Sequence, residues 1–361
     1  RAGNHISLDY GFSEHFYLDR SDLNSGEHRF GLQSRLQSKR LLLTGADSLQ
    51  FLSSPIGLVS FVSAAPPPVD PGQGTGGDGG TPAGGDPVTG GPGPTQGGEV
   101  ITSIGDRSVD RTAFSDSYNL GYGISEKTGV YLRGSHSATD YESGVVLYDT
   151  KTLRATGGFG YRAFPKVALF GELYYGQTTT TPNFPGPKNP DVSSIGGSVG
   201  ARGEFTSKLS GTVGVGYEQR EFSNNANAPS APVANLSLSH RFSDKTSISL
   251  NFSRMYDVSV QFASEVFTAN SAGLQVTQAL GSSGKWRSNA GIGYSMFEYE
   301  TIGAGAIRNF DQFSANFGLA YQIQMWLSAG LGYSFTGIRS DSVGILEYDV
   351  NQIGLSLSLG Y

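Results

Sequence analysis

The most regular feature of the chain is an alternation of apolar and polar residues that begins near residue 105 and continues to the end. In the last segment, Ile353 and Leu355 fall on one face of an extended chain and Gly354 falls on the other. The segment that begins at Leu327 repeats this pattern. Because residues two apart lie on the same face of a β-strand, the period predicts strands, and stretches of helical period are absent.

Short polar turns alternate with longer irregular connections between these strands. The short turns include Glu126-Lys127, Pro165-Lys166 and Asp244-Lys245. Each interval between short turns accommodates two strands of about 12–16 residues, whereas a globular strand usually has about 5–6 residues. A β-propeller would require turns every 8–12 residues or so, and the sequence lacks them.

The number of strands predicts the architecture. We predict three strands in the N-terminal part, at about residues 5–18, 28–38 and 40–51, and about thirteen more from Val109 onwards. An even total near sixteen is typical of a bacterial single-chain barrel. The prediction is therefore an all-β fold with a single closed antiparallel transmembrane β-barrel over residues 1–361, of about 16 strands (14–18).

The composition of the two strand faces favours a membrane barrel over a soluble one. One face is uniformly Leu, Val, Ile, Phe, Tyr and Ala, and the other is mostly Gly, Ser and Asn with occasional Arg. In a membrane barrel the apolar face contacts lipid between two girdles of aromatic residues. We expect both termini and the short turns on the periplasmic side. The predicted girdle residues are Tyr122, Tyr161, Tyr175, Tyr217, Tyr294 and Tyr333.

The amino-acid composition excludes several classes of function. The chain of 361 residues has 52 Gly, no Cys and a net charge of −6. The absence of cysteine excludes disulfides and thiolate chemistry, and the acidic balance without a basic cluster argues against nucleic acid as a partner. No apolar run is long enough for a transmembrane helix. Since the chain begins with Arg1, we expect a mature or trimmed form.

One segment differs from the rest. Residues 66–98 are almost entirely Gly, Pro, Thr and Asp, without any aromatic side chain. Such a composition cannot bury enough apolar surface to offset the loss of backbone entropy. We predict a disordered extracellular loop between the third and fourth strands, rather than a linker between two domains.

The repeated strand sequences carry a resemblance to a known group. Segments such as ATGGFGYR at 155–162 and FGLAYQI at 317–323 alternate with short Ser-Lys or Asp-Lys turns. The chain resembles bacterial outer-membrane β-barrel proteins, most closely the porin-type barrels associated with exopolysaccharide systems. The resemblance implies contacts with outer-membrane lipid and lipopolysaccharide, the barrel assembly machinery and periplasmic polysaccharide-export proteins. It also implies a C-terminal assembly signal at Gln352, Gly354, Leu357, Leu359 and Tyr361.

Charged residues on the polar face are the candidate functional set. Strand parity places these inside the lumen: Arg29, Arg35, Arg133, Arg154, Arg162, Arg202, Arg220, Arg241 and Arg287, with Asp9, Glu172, Glu204 and Glu218 as inward acids. Two interpretations stay open. The arginines pair with acids and pack the interior, or they make the lumen favourable to anionic solutes or polymers.

Catalytic and metal chemistry find little support. The five histidines show no metal-ligand spacing, and no nucleophile motif is present. We therefore expect no enzyme and no cofactor, although Glu14-His15 or His136 near the rim keeps an outer-membrane enzyme as a minor alternative. The predicted function is a passive outer-membrane channel or export pore for polysaccharide or small anionic solutes. The main alternative is a structural or partner-anchoring barrel with a plugged lumen.

Overall fold

The structure is a computed structural model that describes residues 4–16, 25–55, 108–142, 147–185, 190–223, 229–259, 265–281, 283–301, 307–324, 326–340 and 347–359. The described chain is made of sixteen β-strands joined by turns and loops. The strands are β1 (His5–Phe16), β2 (Ser25–Gln37), β3 (Leu41–Pro55), β4 (Ser108–Gly123), β5 (Thr128–Tyr141), β6 (Tyr148–Phe164), β7 (Val167–Pro182), β8 (Val192–Glu204), β9 (Leu209–Phe222), β10 (Ser230–Ser243), β11 (Thr246–Val258), β12 (Glu265–Leu280), β13 (Trp286–Thr301), β14 (Ile307–Gln324), β15 (Leu327–Ser340) and β16 (Tyr348–Leu359).

Each strand pairs antiparallel with the next, and β1 pairs with β16, so that the sheet closes into one barrel. The closing pair is short, running from Glu14 opposite Leu355 to Phe16 opposite Ile353. The predicted closed antiparallel barrel of sixteen strands is confirmed. No helix in the described ranges is long and apolar enough to cross a membrane. The predicted loop at 66–98 lies outside the described residues and stays a prediction.

The alternation along the sequence becomes an inner and an outer face of the wall. On β7, Leu169, Leu173 and Tyr175 are 46%, 75% and 54% exposed, whereas Phe170 and Glu172 are buried. Neighbouring strands keep this register, because directly opposed residues share a face. The apolar side chains therefore cover the outside of the barrel, and the small polar side chains line the inside.

The short turns share a local device. In the turn between β4 and β5, the Ser125 hydroxyl accepts hydrogen bonds from the backbone N–H groups of Lys127 and Thr128, at 3.2 and 3.1 Å. Corresponding bonds to a hydroxyl two residues earlier are donated by the N–H of Lys208, Lys245 and Lys285. A hydroxyl that caps its own turn satisfies the backbone locally, which fixes the tight reversal.

Candidate functional site

Every charged residue predicted from parity occupies an inner-face position of its strand. The arginines are Arg29 and Arg35 on β2, Arg133 on β5, Arg154 and Arg162 on β6, Arg202 on β8, Arg220 on β9, Arg241 on β10 and Arg287 on β13. The acids are Asp9 on β1, Glu172 on β7, Glu204 on β8 and Glu218 on β9. The structure gathers part of this set into one charged wall between β5 and β11.

The loop-ward part of this wall is centred on Glu218. Its carboxylate lies 2.7 Å from an Nη atom of Arg220 and 3.9 Å from Arg154 on β6. Arg220 also pairs with Asp257 on β11 at 2.9 Å. Glu218 and Arg220 are only 3% and 7% exposed. Such buried charges are stable only when they are paired, so this group behaves as a unit.

The turn-ward part of the wall combines aromatic rings with charge. The Tyr131 hydroxyl donates a 2.6 Å hydrogen bond to the Glu172 carboxylate. The guanidinium of Arg202 lies 5.4 Å from the ring centroids of both Tyr131 and Phe170. Since a guanidinium is attracted to the face of an aromatic ring, these contacts hold Arg202 against the wall.

Arginine stacking on rings continues toward the loops. Arg154 lies 3.6 Å above the ring of Tyr174, and Arg220 lies 5.2 Å from the ring centroid of Tyr256. Together with Arg202, these contacts form a ladder of arginines and aromatic rings along β5–β11. We call it the arginine ladder: Tyr131, Arg154, Phe170, Glu172, Tyr174, Arg202, Glu218, Arg220, Tyr256 and Asp257.

Proline explains a break in the wall beside the ladder. The hydrogen-bonded register between β10 and β11 extends only as far as Ala234 opposite Arg254. Pro232 precedes this position and has no N–H to donate. Its carbonyl instead accepts a 3.2 Å bond from Nε of Arg254, and Arg220 donates to the carbonyl of Tyr256. Arginine side chains thus join β11 to β10 through Arg254, and to β9 through Arg220, where the backbone bonds end.

The inner face of β12–β16 has a different character, and we call it the small-residue wall. Its contacts are between neutral groups, such as Ser295 with Ser271 at 2.9 Å and Ser334 with Gln352 at 3.2 Å. A Cβ added at Gly354 would meet nothing within 4 Å. Its described charges stand at the two ends, with Arg287 near the turns and an Arg308–Glu265 pair near the loops.

Aromatic side chains fill the inner face near the loop end of β12–β15. Phe297 and Phe310 stack with their centroids 4.6 Å apart, and Phe267 stacks on Tyr299 at 5.3 Å. These four side chains and Ile338 are at most 2% exposed. The loop end of the barrel is therefore apolar and densely packed on this side.

The outer face carries the predicted tyrosines. Their exposed fractions are 45% for Tyr122, 42% for Tyr161, 54% for Tyr175, 57% for Tyr217, 47% for Tyr294 and 43% for Tyr333. Several hydroxyl groups find a partner on the next strand, with Tyr217 and Ser230 at 2.8 Å and Tyr333 and Asn351 at 2.7 Å. An aromatic body with a polar tip suits a membrane interface, so the girdle remains our interpretation of this row.

Several inward charged residues were not predicted from the sequence. Asp257 and Glu265 are inward acids, and Arg111 and Arg308 are inward arginines by strand register. Applying the alternation of inward and outward residues up to the strand ends would have identified them. The strands continue further toward the loops than the regular alternation of apolar and polar residues does. Glu204 pairs with Lys166 in the adjacent turn rather than with an arginine across the lumen.

The remaining candidates are dispersed. His136 lies on the outer face, 3.3 Å from Asp116, and the side chain of His15 lies outside what the structure describes. The ranges that the structure describes contain no cluster of three His, Asp or Glu residues suited to a metal. Gln352, Gly354, Leu357 and Leu359 of the predicted assembly signal belong to β16, and Tyr361 lies outside the described residues.

Comparison with known proteins identifies one family. A family model described as putative beta-barrel porin 2 matches residues 148–361. No curated protein sequence matches the chain significantly.

Solved structures of a pyoverdine-binding protein and of an iron transporter are similar to the chain at low identity. The FpvA receptor of Pseudomonas aeruginosa bound to a pyoverdine is 10% identical with a TM-score of 0.47, and the match covers 99% of this chain and 58% of that chain. The FrpB iron transporter of Neisseria meningitidis is 10% identical with a TM-score of 0.46, covering 94% of this chain and 59% of that chain. The chain thus spans about three fifths of the length of these proteins.

Proposed function

The chain belongs to the beta-barrel porin 2 family, and on that premise we propose that it is a passive outer-membrane channel whose lumen favours anionic solutes. Family membership and the closed sixteen-stranded barrel give the outer-membrane location and a general role in transport. The single observation that carries the preference for anions is that the inward arginines outnumber the inward acids on the described strands.

The ladder itself contains three arginines and three acids, so the positive surplus of the lumen comes from the inward arginines outside it. Arg220 is shared by Glu218 and Asp257, whereas Arg154 stacks on a ring and lies 3.9 Å from the Glu218 carboxylate. Arg133, Arg162 and Arg241 add inward positive charge toward the turns. Low-dielectric walls focus the field of such charges into the lumen, which raises the local concentration of anions. Pairing and anion preference therefore coexist, with the paired acids holding the arginines in place.

We propose acidic polysaccharide as the finer substrate class, with export as the direction. A polyuronate presents carboxylates, which suit arginine, and hydroxyls, which suit the serine and asparagine side chains of the small-residue wall. The two walls thus offer both kinds of partner along one path. Proteoliposomes that hold the protein should release acidic oligosaccharides faster than neutral ones of equal length, and equal release would remove this proposal.

A plugged structural barrel is the second candidate, and one observation favours it. Aromatic side chains such as Phe297, Tyr299 and Phe310 are fully buried on the inner face near the loops. Single-channel recording of the purified protein in planar bilayers separates the two candidates. Stable conductance supports the channel, whereas a folded protein that never conducts supports the plugged barrel.

The remaining partners are proposals of the same kind. We propose that the exposed apolar outer face contacts outer-membrane lipid and lipopolysaccharide, with both termini in the periplasm. We further propose that the end of β16 is read by the barrel assembly machinery and that periplasmic polysaccharide-export proteins deliver the substrate. Replacing Leu357 and Leu359 by Ser should then lower the amount of assembled barrel in outer-membrane fractions.

A further inference from the structure

The short turns of the barrel carry a ring of positive charge that the lumen account does not use. Exposed cationic side chains stand at successive hairpins, and we call this set the turn-side collar: Lys39, Arg40, Lys127, Lys166, Lys208, Lys245 and Lys285. In the described part of the chain, the acids at the same turns are Glu126, Glu204 and Asp244. The collar is thus clearly positive, although the whole chain has a net charge of −6.

Contacts within the collar fix the lysines without neutralising most of them. Lys208 reaches from its own turn to the carbonyl of Phe242 at 3.4 Å, and Lys245 reaches to the carbonyl of Gly281 at 2.9 Å. A carbonyl is neutral, so the ammonium charge remains. Lys166 differs, because it pairs with Glu204. The contacts of Lys166, Lys208 and Lys245 thus link three hairpins to the next one and keep their ammonium groups on the rim.

The opposite end of the barrel carries the opposite charge. The strand ends next to the long connections are rich in acids, and those with described side chains are Glu27, Asp110, Asp140, Glu142, Asp149, Asp191, Glu221, Asp257, Glu265, Glu298, Glu300, Glu347 and Asp349. The described cations there are fewer, namely Arg111, Lys151, Arg220, Arg308 and Arg339, and three of them pair with acids: Arg220 with Asp257, Arg308 with Glu265, and Arg339 with Asp349. The barrel is therefore electrostatically polarised along its axis, positive at the turns and negative at the loops.

From this polarity we infer that the turn-side collar is the entry site for an acidic polymer, which reaches the arginine ladder from that end. This inference rests on the proposed function. Hairpins in the ring are two strands apart, or about 10 Å of sheet width, which is close to the screening length of about 10 Å in 0.1 M salt. The fields of neighbouring lysines overlap at that spacing. A flexible polyanion with several carboxylates then gains from several lysines together, whereas a small anion meets one at a time.

The collar is continuous with the ladder in space. Arg162, Arg241 and Arg287 occupy inner-face positions within a few residues of the turns, directly behind the lysines. Beside Arg162 in register, Arg202 at the turn end of β8 begins the series of arginines stacked on rings, which continues with Arg154 and Arg220 toward the loops. A chain of carboxylates that enters at the turns thus finds positive groups at successive depths, and it meets repulsion when it approaches from the acidic loop end.

Sided block of single channels tests the inference. The full chain is inserted in a planar bilayer in 0.1 M salt, and oligogalacturonate is added to one side at a time, with neutral dextran of equal length as the control probe. Since the chain has no cysteine, Ser207→Cys in the β8–β9 turn and a bulky thiol reagent identify the turn side. We expect the association rate of block to be at least tenfold higher from the turn side.

Charge variants provide the matched comparison. Replacing Lys127, Lys208, Lys245 and Lys285 together by Gln should remove at least tenfold of the turn-side association rate while the channel keeps its anion preference. The control neutralises four loop-end acids by Asp140→Asn, Glu142→Gln, Glu298→Gln and Glu300→Gln, and the turn-side rate should stay within twofold. Should the lysine variant fail to fold, the sidedness of the wild type alone decides.

The outcomes separate this inference from the proposed function. Equal rates from the two sides, faster block from the loop side, or no block at all in an anion-preferring channel would overturn the collar as an entry site. Loss of anion preference in the wild type would instead overturn the proposed function, and the inference with it. Dextran block with the same sidedness would also overturn it, because the effect would then not depend on charge.

Discussion

The arginine ladder and the small-residue wall follow the same period of two but line the lumen in opposite ways. On β5–β11, buried charges are held by pairing and by aromatic rings, as with Glu218 beside Arg220 and Arg154 above Tyr174. On β12–β16, the contacts away from the strand ends are between neutral hydroxyl, amide and glycine positions, as with Ser334 and Gln352. The alternation of apolar and polar residues is enough to form the barrel wall. The identity of the inward residues then decides whether the inner face is charged and ion-paired or neutral.

The largest expected effect comes from removing the central cation of the ladder. Arg220→Ala leaves Glu218 and Asp257 buried without their main partner, which costs about 3–5 kcal/mol when a buried pair is broken. The β10–β11 break also loses the bond to the Tyr256 carbonyl. We expect the temperature at which the folded form is lost in detergent gels to fall markedly.

The matched variant for Arg220→Ala is Arg287→Ala, on the inner face at the turn end of the other wall. Arg287 is exposed, so its removal should change the unfolding temperature little. An equal fall in unfolding temperature in the two variants would show that Arg220 stabilises the barrel no more than Arg287 does.

Removing one hydroxyl from each wall should destabilise the barrel by different amounts. Tyr131→Phe removes the 2.6 Å hydrogen bond to Glu172, and a bond to a buried charged group contributes about 1.5–3 kcal/mol. Ser334→Ala removes a 3.2 Å bond to Gln352 between half-buried neutral groups, and we expect about 0.5 kcal/mol. Urea unfolding of both variants in detergent measures the difference, and a larger cost at Ser334 would contradict the account.

Glycines give the next contrast. A Cβ at Gly158 would lie 2.2 Å from the ring of Tyr131, so Gly158→Ala forces that ring away from Glu172 and costs about 1–3 kcal/mol by overpacking. A Cβ at Gly354 meets nothing within 4 Å, so Gly354→Ala should be neutral within about 0.5 kcal/mol. The same urea titration applies, and equal behaviour of the two alanines would show that the ring is free to move.

The smallest effect concerns transport rather than stability. Neutralising one ladder arginine by Arg154→Gln keeps the chain length and removes the charge that lies 3.9 Å from Glu218. We expect the anion-to-cation permeability ratio to fall by about twofold, since the remaining inward arginines still act. As the control, Ser334→Gln introduces the same glutamine side chain on the small-residue wall without changing any charge, and the permeability ratio should stay unchanged. The ratio is read from reversal potentials of single channels.

Much of this architecture could be predicted from the sequence, because each side chain of a closed sheet points either into the lumen or to the outside of the barrel. Strict alternation fixed which face Arg154 and Arg202 occupy, and short Lys-containing turns marked the hairpins. The aromatic partners could not be predicted, because Tyr131 and Tyr174 look like any other aromatic residue of a strand. Their roles depend on which strand lies beside them and at what register.

The arginine bonds at the break between β10 and β11 could not be predicted from the sequence either. Pro232 signals a lost backbone donor, but the sequence gives no sign that Arg254 and Arg220 supply the replacement bonds. Contacts between residues far apart in the chain require the three-dimensional register. The charges near the loop ends, such as Asp257, were missed because the regular alternation fades there.

The most direct test of the account is the reversal potential of the wild-type channel across a salt gradient in planar bilayers. The surplus of inward arginines predicts a potential of the sign that marks anion preference, and the preference should weaken as the mean salt concentration rises, because salt screens the inward charges. A potential of the opposite sign would contradict an anion-favouring lumen. A folded protein that never conducts would instead leave the barrel as a structural component with a closed interior.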